Sequence, residues 1–73
     1  MPSLQKKSVT LSGHETSVAL EPEFWAALQT MAGEQQLGVA QLVRTVDEAR
    51  QDRPLASACR VAALEWALAS GRS

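Results

Sequence analysis

Few residues in this chain are of types that carry out catalysis. Its 73 residues include one histidine, one cysteine and no tyrosine. Ser17, His14 and Asp47 could be combined into a catalytic triad, but no motif connects them, and so short a chain leaves little room for a pocket. Cys59 lies in an apolar stretch, where a thiol is typical of a small packing residue. We therefore expect no enzymatic activity.

Sites for metals or cofactors are not indicated either. A single histidine and a distant single cysteine cannot form a structural zinc site. The glycines Gly13, Gly33, Gly38 and Gly71 are isolated, so there is no glycine-rich loop of the kind that holds phosphate groups. The sequence predicts no metal and no cofactor.

The charge of the chain limits the kind of partner. Formal net charge is -1 at pH 7, so the broad positive field of many nucleic-acid-binding proteins is missing, and any cationic surface must be local. Lys6 and Lys7 form the clearest cluster. Phe24 and Trp25 could suggest base stacking, but neighbouring helix positions point about 100° apart. We interpret Phe24 as a core residue and Trp25 as covering the junction with the strand or a partner.

Hydrophobic periodicity predicts one β region followed by three helices. The stretches KKSVTLSG and ETSVAL alternate between apolar and polar residues, with Gly13 available for a turn between them. A β-hairpin and an irregular arm before a single strand both fit this pattern. Pro22 suits a first helical position, Leu37-Gly38 is a short connection, and Arg53 before Pro54 marks another boundary. The resulting single domain, 1–73, has a frayed N-terminus over 1–5, a hairpin or an arm plus strand over 6–20, and helices over 22–36, 39–51 and 54–70.

The third helix is apolar over most of its circumference. Between Leu55 and Ala69 only Arg60 and Glu65 are charged, so this helix must be covered on more than one side. A single domain of this size buries only about 60% of its unfolded surface. We therefore expect part of the helix to contact a second copy of the chain. A helix lying on a membrane is the alternative, and the lack of a Lys/Arg-rich polar face argues against it.

The sequence also predicts where the protein resides. No run approaches the length of about 18 apolar residues that indicates a membrane span, and MPSLQKKSV has no hydrophobic region behind its lysines to form a signal peptide. We expect a cytoplasmic protein without membrane association.

Three stretches carry a resemblance to a known family. KKSVTLSGHETSVALEPEFWAAL, VAQLVRTVDEAR and LASACRVAALEWAL, within residues 6–68, resemble a bacterial subgroup of the ribbon-helix-helix family, to which the Arc and methionine repressors belong. The resemblance implies a mainly α fold with a short β ribbon and an intertwined homodimer. In that family, the single strands of two protomers pair into a ribbon that enters the DNA major groove.

The resemblance also implies two sets of functional residues. The ribbon face, its flanks and the N-terminus of the second helix would bind DNA through Lys6, Lys7, His14, Glu15, Ser17, Ala19, Gly38 and Val39. The dimer interface would comprise Thr16, Val18, Leu20, Trp25, Val43, Leu64 and Trp66.

We hypothesise that the chain is a homodimeric transcriptional regulator that binds double-stranded DNA. The alternative is a dimeric protein-interaction module, antitoxin-like or adaptor-like, that retains the fold without reading DNA. The lysine pair at Lys6 and Lys7 favours the first function, whereas the acidic residues Glu15, Glu21 and Glu23 near the ribbon favour the second. If residues 6–20 form a hairpin, the dimer sheet has four strands and measures about 14 Å between its outer strand axes. The DNA major groove is about 12 Å wide, so such a sheet would not enter it squarely.

Overall fold

The computed structural model describes residues 3–71, which form a β-hairpin followed by three helices. The elements are β1 Gln5–Leu11, β2 His14–Leu20, α1 Pro22–Glu34, α2 Val39–Ala49 and α3 Leu55–Ser70. This architecture confirms the predicted mainly α fold with a short β ribbon. Residues 1 and 2 of the predicted frayed N-terminus lie outside the described range, and Gln5 already belongs to β1.

The two strands pair in antiparallel orientation, with Gln5 opposite Leu20 at one end and Leu11 opposite His14 at the other. Ser12 and Gly13 form the two-residue turn, with φ angles of 50° and 81°. Two positive φ angles are the signature of a type I′ turn, whose twist matches that of the flanking strands. Of the two interpretations that the sequence left open, the hairpin is the observed one.

One face of the hairpin closes the core. Side chains of Val9, Leu11, Val18 and Leu20 are buried there, at alternate positions along each strand. The helices complete the core with Trp25, Leu28, Met31, Ala32, Leu42, Val43, Cys59 and Ala63.

Local backbone geometry sets where the helices begin and end. α1 starts at Pro22, and α2 starts after Gly38, whose N–H donates to the Gln41 side chain at 3.0 Å. α1 ends at Glu34 and α2 at Ala49, two residues before the predicted ends. The reason is that Gln36 and Gln51 adopt left-handed φ angles of 59° and 56°, which a right-handed helix cannot contain.

The aromatic pair on α1 corrects one sequence expectation. Trp25 is the core residue, only 2% exposed, whereas Phe24 is half-buried and packs at the edge of the core beneath Arg60. The expectation that Phe24 is the core residue is therefore wrong. The expectation that Trp25 covers the junction with the strand is confirmed, because its ring bonds to Gln5 and lies beneath Lys7, both on β1.

Polar contacts fasten α3 to the rest of the chain. Arg60 Nε donates to Glu21 Oε1 at 2.9 Å, and Trp66 Nε1 donates to Glu34 Oε1 at 2.9 Å. These bonds hold the helix at two points along its length, over the start and the end of α1. Within residues 3–71, no helix has both the length and the apolar character needed to cross a membrane.

Candidate nucleic-acid interface

The outer face of the hairpin is polar and rich in hydroxyl groups. Residues directly opposite each other in an antiparallel pair point to the same face, and the outer pairs are Lys6 with Ala19, Ser8 with Ser17 and Thr10 with Glu15. All six are exposed except Ala19, which is half-buried. We call these six residues the hairpin outer face.

The structure divides the residues that were predicted to bind DNA. Lys6, Glu15, Ser17 and Ala19 share the hairpin outer face. Lys7 does not, because it lies opposite Val18 on the inner side. Its ammonium group lies 5.1 Å from the centroid of the Trp25 ring, a cation–π contact.

His14 likewise lies on the inner side, opposite Leu11, although its side chain is exposed beside the turn. Ser8 and Thr10 belong to the hairpin outer face and were missed by the sequence analysis. The alternation of KKSVTL places them on the same side as Lys6, so this signal was present. It could be used only if β1 was known to pair with β2.

The hairpin geometry leaves one edge of β2 free. A two-residue turn makes Leu11 and His14 a hydrogen-bonded pair. Along an antiparallel ladder, hydrogen-bonded pairs alternate with pairs whose backbone groups point outward, and Glu15, Ser17 and Ala19 belong to the second kind. The backbone N–H and C=O groups of Glu15, Ser17 and Ala19 therefore point away from β1. These groups can pair with a strand from another molecule.

The N-terminus of α2 supplies a separate set of donors. Gly38 and Val39, both predicted DNA-binding residues, lie at this end, and Gln41 accepts the Gly38 N–H. The amides of the first turn, beginning with Val39, have no partner within the helix. Gly38, Val39 and Ala40 carry no polar side chain, so at these residues only the backbone N–H groups could contact a phosphate.

Most residues of the predicted dimer interface lie in the core of a single chain. Val18, Leu20, Trp25 and Val43 are each at most 3% exposed, so in this conformation they have no surface to offer a partner. Thr16 is half-buried. The two remaining members, on α3, differ from each other: Leu64 is largely exposed, whereas Trp66 is half-buried and bonded to Glu34.

Of the acidic residues near the hairpin, Glu21 pairs with an arginine, whereas Glu15 and Glu23 do not in the part of the chain that the structure describes. The hydrogen bond from Arg60 lowers the pKa of Glu21, with smaller contributions from the backbone and from the Arg60 charge, against a small opposing effect of burial. Within residues 3–71, Glu15 and Glu23 form no ion pair. Glu15 is therefore the acid that most opposes phosphate binding at the hairpin outer face.

The ribbon-helix-helix domain family matches this chain over residues 4–67. The chain belongs to this family. The match covers both strands, α1, α2 and most of α3. Neither a curated protein nor a solved structure shows a match to the chain. Ribbon-helix-helix domains are commonly DNA-binding regulators or antitoxins, are typically homodimers and are typically not enzymes.

This ribbon-helix-helix chain also carries a groove remote from its hairpin. The groove lies between the C-terminal end of α2 and α3, with a volume of about 470 Å³. Its lining includes the apolar residues Val46, Ala58 and Ala62 and the charged residues Arg53 and Glu65. The groove is open and shares no residue with the hairpin outer face.

Proposed function

We propose that the protein is a homodimeric transcriptional regulator of the bacterial cytoplasm, and that it binds double-stranded DNA with the hairpin outer face. The observation that supports this most directly is the composition of that face. Lys6 supplies a cation, while Ser8, Thr10 and Ser17 supply hydroxyl groups that can bond phosphates or base edges. No apolar side chain larger than Ala19 lies among the six outer-face residues.

The free edge of β2 gives the proposed dimer its geometry. Two β2 strands that pair edge to edge join two hairpins into one four-stranded sheet, and their outer faces become continuous. Such a sheet measures about 14 Å between outer strand axes, so it does not enter a groove about 12 Å wide squarely. The two β2 strands then lie over the groove centre, and the β1 strands lie over its rims.

This arrangement gives the two strands different roles. Ser17 on β2 lies over base edges, where Glu15 can also accept a hydrogen bond from a cytosine amine. Lys6 on β1 lies near the phosphates, which fix orientation without reading sequence. A few phosphate contacts per dimer make binding weak and sensitive to salt.

Lys6 and Lys7 provide a matched test of the orientation. Lys6→Gln and Lys7→Gln remove the same charge from neighbouring positions, but only Lys6 lies on the hairpin outer face. Titration of a labelled mixed-sequence duplex at two salt concentrations should show weaker binding and a smaller salt dependence for Lys6→Gln. Lys7→Gln should leave the salt dependence close to that of the unsubstituted protein. Equal effects of the two substitutions would contradict this orientation.

Glu15→Lys tests the same face with the opposite sign. It replaces a carboxylate that repels phosphate with a cation, so the affinity for the mixed-sequence duplex should rise, most strongly at low salt. Glu48→Lys makes the same charge change on α2, at an exposed position outside the hairpin, and serves as the control. Unchanged affinity for Glu15→Lys at both salt concentrations would count against DNA contact by this face.

A protein-interaction role, antitoxin-like or adaptor-like, is the second candidate function. The observation that favours it is the exposure of Leu64 and Leu68 on α3, since exposed apolar side chains in a row often mark protein interfaces. Affinity capture after nuclease treatment separates the two functions. A protein partner that is retained with Lys6→Gln and lost with Leu64→Glu would support this second function.

A further inference from the structure

α3 carries a row of small and apolar residues on the side that faces away from the core. Ser57, Val61, Leu64 and Leu68 follow one another at spacings of four, three and four residues, which is the spacing of a coiled-coil contact row. Leu64 is 55% exposed and Leu68 is 58% exposed. We call these four residues the α3 seam.

No other helix face in the described part of the chain resembles it. Leu4, Leu64 and Leu68 are the large apolar side chains that are mostly exposed within residues 3–71, and Leu4 lies just before β1. The outward positions of α1 and α2 carry mainly polar or small residues, such as Gln29, Thr30 and Thr45.

We propose that the α3 seam is a self-association surface, on which a second copy of the chain places its own α3 seam in antiparallel orientation. The order of residue sizes supports this occupant. In the antiparallel arrangement Ser57 lies opposite Leu68 of the second copy, and Val61 lies opposite Leu64. Each layer then combines a smaller with a larger side chain, which fills the space between the helices evenly.

The position of Ser57 at the end of the seam keeps its hydroxyl group satisfied. Ser57 lies in the first turn of α3 and is half-buried in the single chain. In the antiparallel arrangement it belongs to an outermost layer of the contact, where a hydroxyl group can still bond to water. The three apolar members of the seam, Val61, Leu64 and Leu68, supply the contact area.

A parallel arrangement fits the seam less well. It places Leu68 against Leu68 at one end and Ser57 against Ser57 at the other, so one end is crowded while the other is left with a gap. Both arrangements have two-fold symmetry, in which the same surface of both copies forms the interface, so the size of the layers distinguishes them. The layers of the antiparallel arrangement are even in size, so the seam is most complementary to itself in this orientation.

Charges beside the α3 seam favour the same orientation. Glu65 and Arg53 both line the groove that borders the seam, together with Val61. Arg50 at the same end is already paired with Asp47 at 2.7 Å, whereas neither Arg53 nor Glu65 forms a salt bridge within residues 3–71. In antiparallel packing the groove flank of one α3 meets the groove flank of the other, so Glu65 of each copy lies on the same side as Arg53 of the other. In the register above the two residues are offset by about 10 Å along the helix axis, so they attract each other at long range and do not form a direct ion pair. In parallel packing each groove flank meets the opposite flank, and this pairing is lost.

This contact is separate from the proposed DNA-binding function, because the α3 seam shares no residue with the hairpin outer face or the β2 edge. If both contacts form, the α3 seam joins two hairpin-paired dimers and so brings additional hairpins to the same DNA. If only the α3 seam forms, it produces a dimer by itself. Either way, loss of the seam should at least halve the mass of the assembly, because each hairpin-paired dimer carries two seams and can join one further dimer through each.

Sedimentation of the full chain at micromolar concentration tests the surface. Leu64→Glu and Leu68→Glu place a charge in the seam and should each at least halve the mass relative to the unsubstituted protein. Leu4→Glu makes the same change at a residue that is 51% exposed outside the seam, and it should leave the mass unchanged. Circular dichroism should show unaltered helix content in all three variants, since the substituted side chains are outside the core.

A monomeric unsubstituted protein, or folded Leu64→Glu and Leu68→Glu variants with unchanged mass, would overturn the proposal. Salt dependence gives an independent measurement. Apart from Arg50, which is paired with Asp47, Arg53→Glu leaves only acidic charge on the shared groove flank, so it should weaken association more at low salt than at high salt. Association of a folded Arg53→Glu variant equal to that of the unsubstituted protein at low salt would overturn the charge argument.

Cysteine cross-linking tests the orientation. In a Cys59→Ala background, a chain with both Ser57→Cys and Leu68→Cys should form intermolecular disulfides readily, because antiparallel packing places the two positions opposite each other. Each single variant should form them poorly. Ready cross-linking of Ser57→Cys alone would indicate parallel helices and overturn the proposal. None of these measurements includes DNA, so failure of DNA binding leaves their outcome unaffected.

Discussion

The indole Nε1 of Trp25 donates a hydrogen bond of 2.8 Å to the backbone carbonyl of Gln5, across 20 positions of the chain. This bond joins the first residue of β1 to the first turns of α1. Lys7 covers the same ring from the strand. The first strand is therefore fixed to the core by a buried aromatic side chain, in addition to its ladder with β2.

Trp25→Phe should release the start of β1. The substitution removes the donor for the Gln5 carbonyl and part of a buried ring, and we expect a loss of roughly 1 to 3 kcal/mol in the free energy of unfolding. Urea denaturation followed by circular dichroism measures it. Trp66→Phe is the control, because its hydrogen bond to Glu34 is exposed, and it should cost less. Equal losses would show that the bond to Gln5 contributes nothing specific.

Much of the fold follows from the sequence because periodicity reports which residues are buried. The alternation around Val9 and Val18 and the helical spacing of Leu28, Leu42 and Val43 each predict their element. The order of strand and helices then matches one family. Periodicity alone did not decide whether residues 6–12 form an arm or a strand, because alternation is the same with and without a neighbouring strand.

The pattern of apolar residues in the predicted dimer interface does not tell which molecule covers them. A position such as Leu20 has the same sequence pattern whether its own chain or a partner covers it. The structure shows that its own chain does so. On the hairpin outer face, the shared side of Lys6, Glu15 and Ser17 follows from strand geometry and register. Their predicted contacts with DNA depend on a second molecule, which no pattern within one chain can specify.

Replacing Gly13 or Gly33 with alanine should change the stability of the fold in opposite directions. Gly13 has a φ of 81° in the hairpin turn, so Gly13→Ala should cost about 1 kcal/mol of stability through backbone strain. Gly33 lies in the last turn of α1 with open space around it, and Gly33→Ala should stabilise by about 0.4 to 1 kcal/mol. Thermal unfolding of the two variants measures both. A stabilised Gly13→Ala variant would contradict the type I′ turn.

Ser12→Asn should strengthen the same turn. Ser12 adopts a φ of 50°, which asparagine tolerates better than serine does, and Asn-Gly is a favoured pair for type I′ turns. We expect a higher melting temperature, while the register of the hairpin stays the same. Amide hydrogen exchange of β1 provides the second measurement, because slower opening of the hairpin should protect its ladder. Faster exchange in β1 would contradict the expectation.

Cys59 should be an unreactive thiol in the folded protein. Its side chain is fully buried, and burial raises its pKa, partly opposed by the nearby Arg60 charge and reinforced slightly by Asp47. Because the thiolate is the reactive form, a chromogenic disulfide reagent at neutral pH should react roughly 100-fold more slowly than with the unfolded chain, equivalent to an opening cost of about 3 kcal/mol. Rapid reaction without denaturant would indicate that α3 separates from the core easily.

The ion pair between Glu21 and Arg60 should make the stability of the fold depend on pH in the acidic range. The hydrogen bond from Arg60 lowers the pKa of Glu21 from its ordinary value of 4.5. A carboxylate with a lowered folded-state pKa stabilises the protein fully above its unfolded pKa, and this contribution is lost as the pH falls through the folded-state pKa. Glu21→Gln should therefore lower the melting temperature at neutral pH, and the difference from the unsubstituted protein should shrink as the pH falls below about 4.5.

Glu48→Gln is the control for this pH series, because Glu48 is exposed on α2 and forms no ion pair within residues 3–71. Its difference from the unsubstituted protein should stay nearly constant across the same range. Both side chains of the Glu21–Arg60 pair are about one-third exposed, so salt should also reduce the Glu21→Gln effect at neutral pH. A Glu21→Gln difference that is constant from neutral to acidic pH would mean that the pair does not hold α3 to the start of α1 in solution.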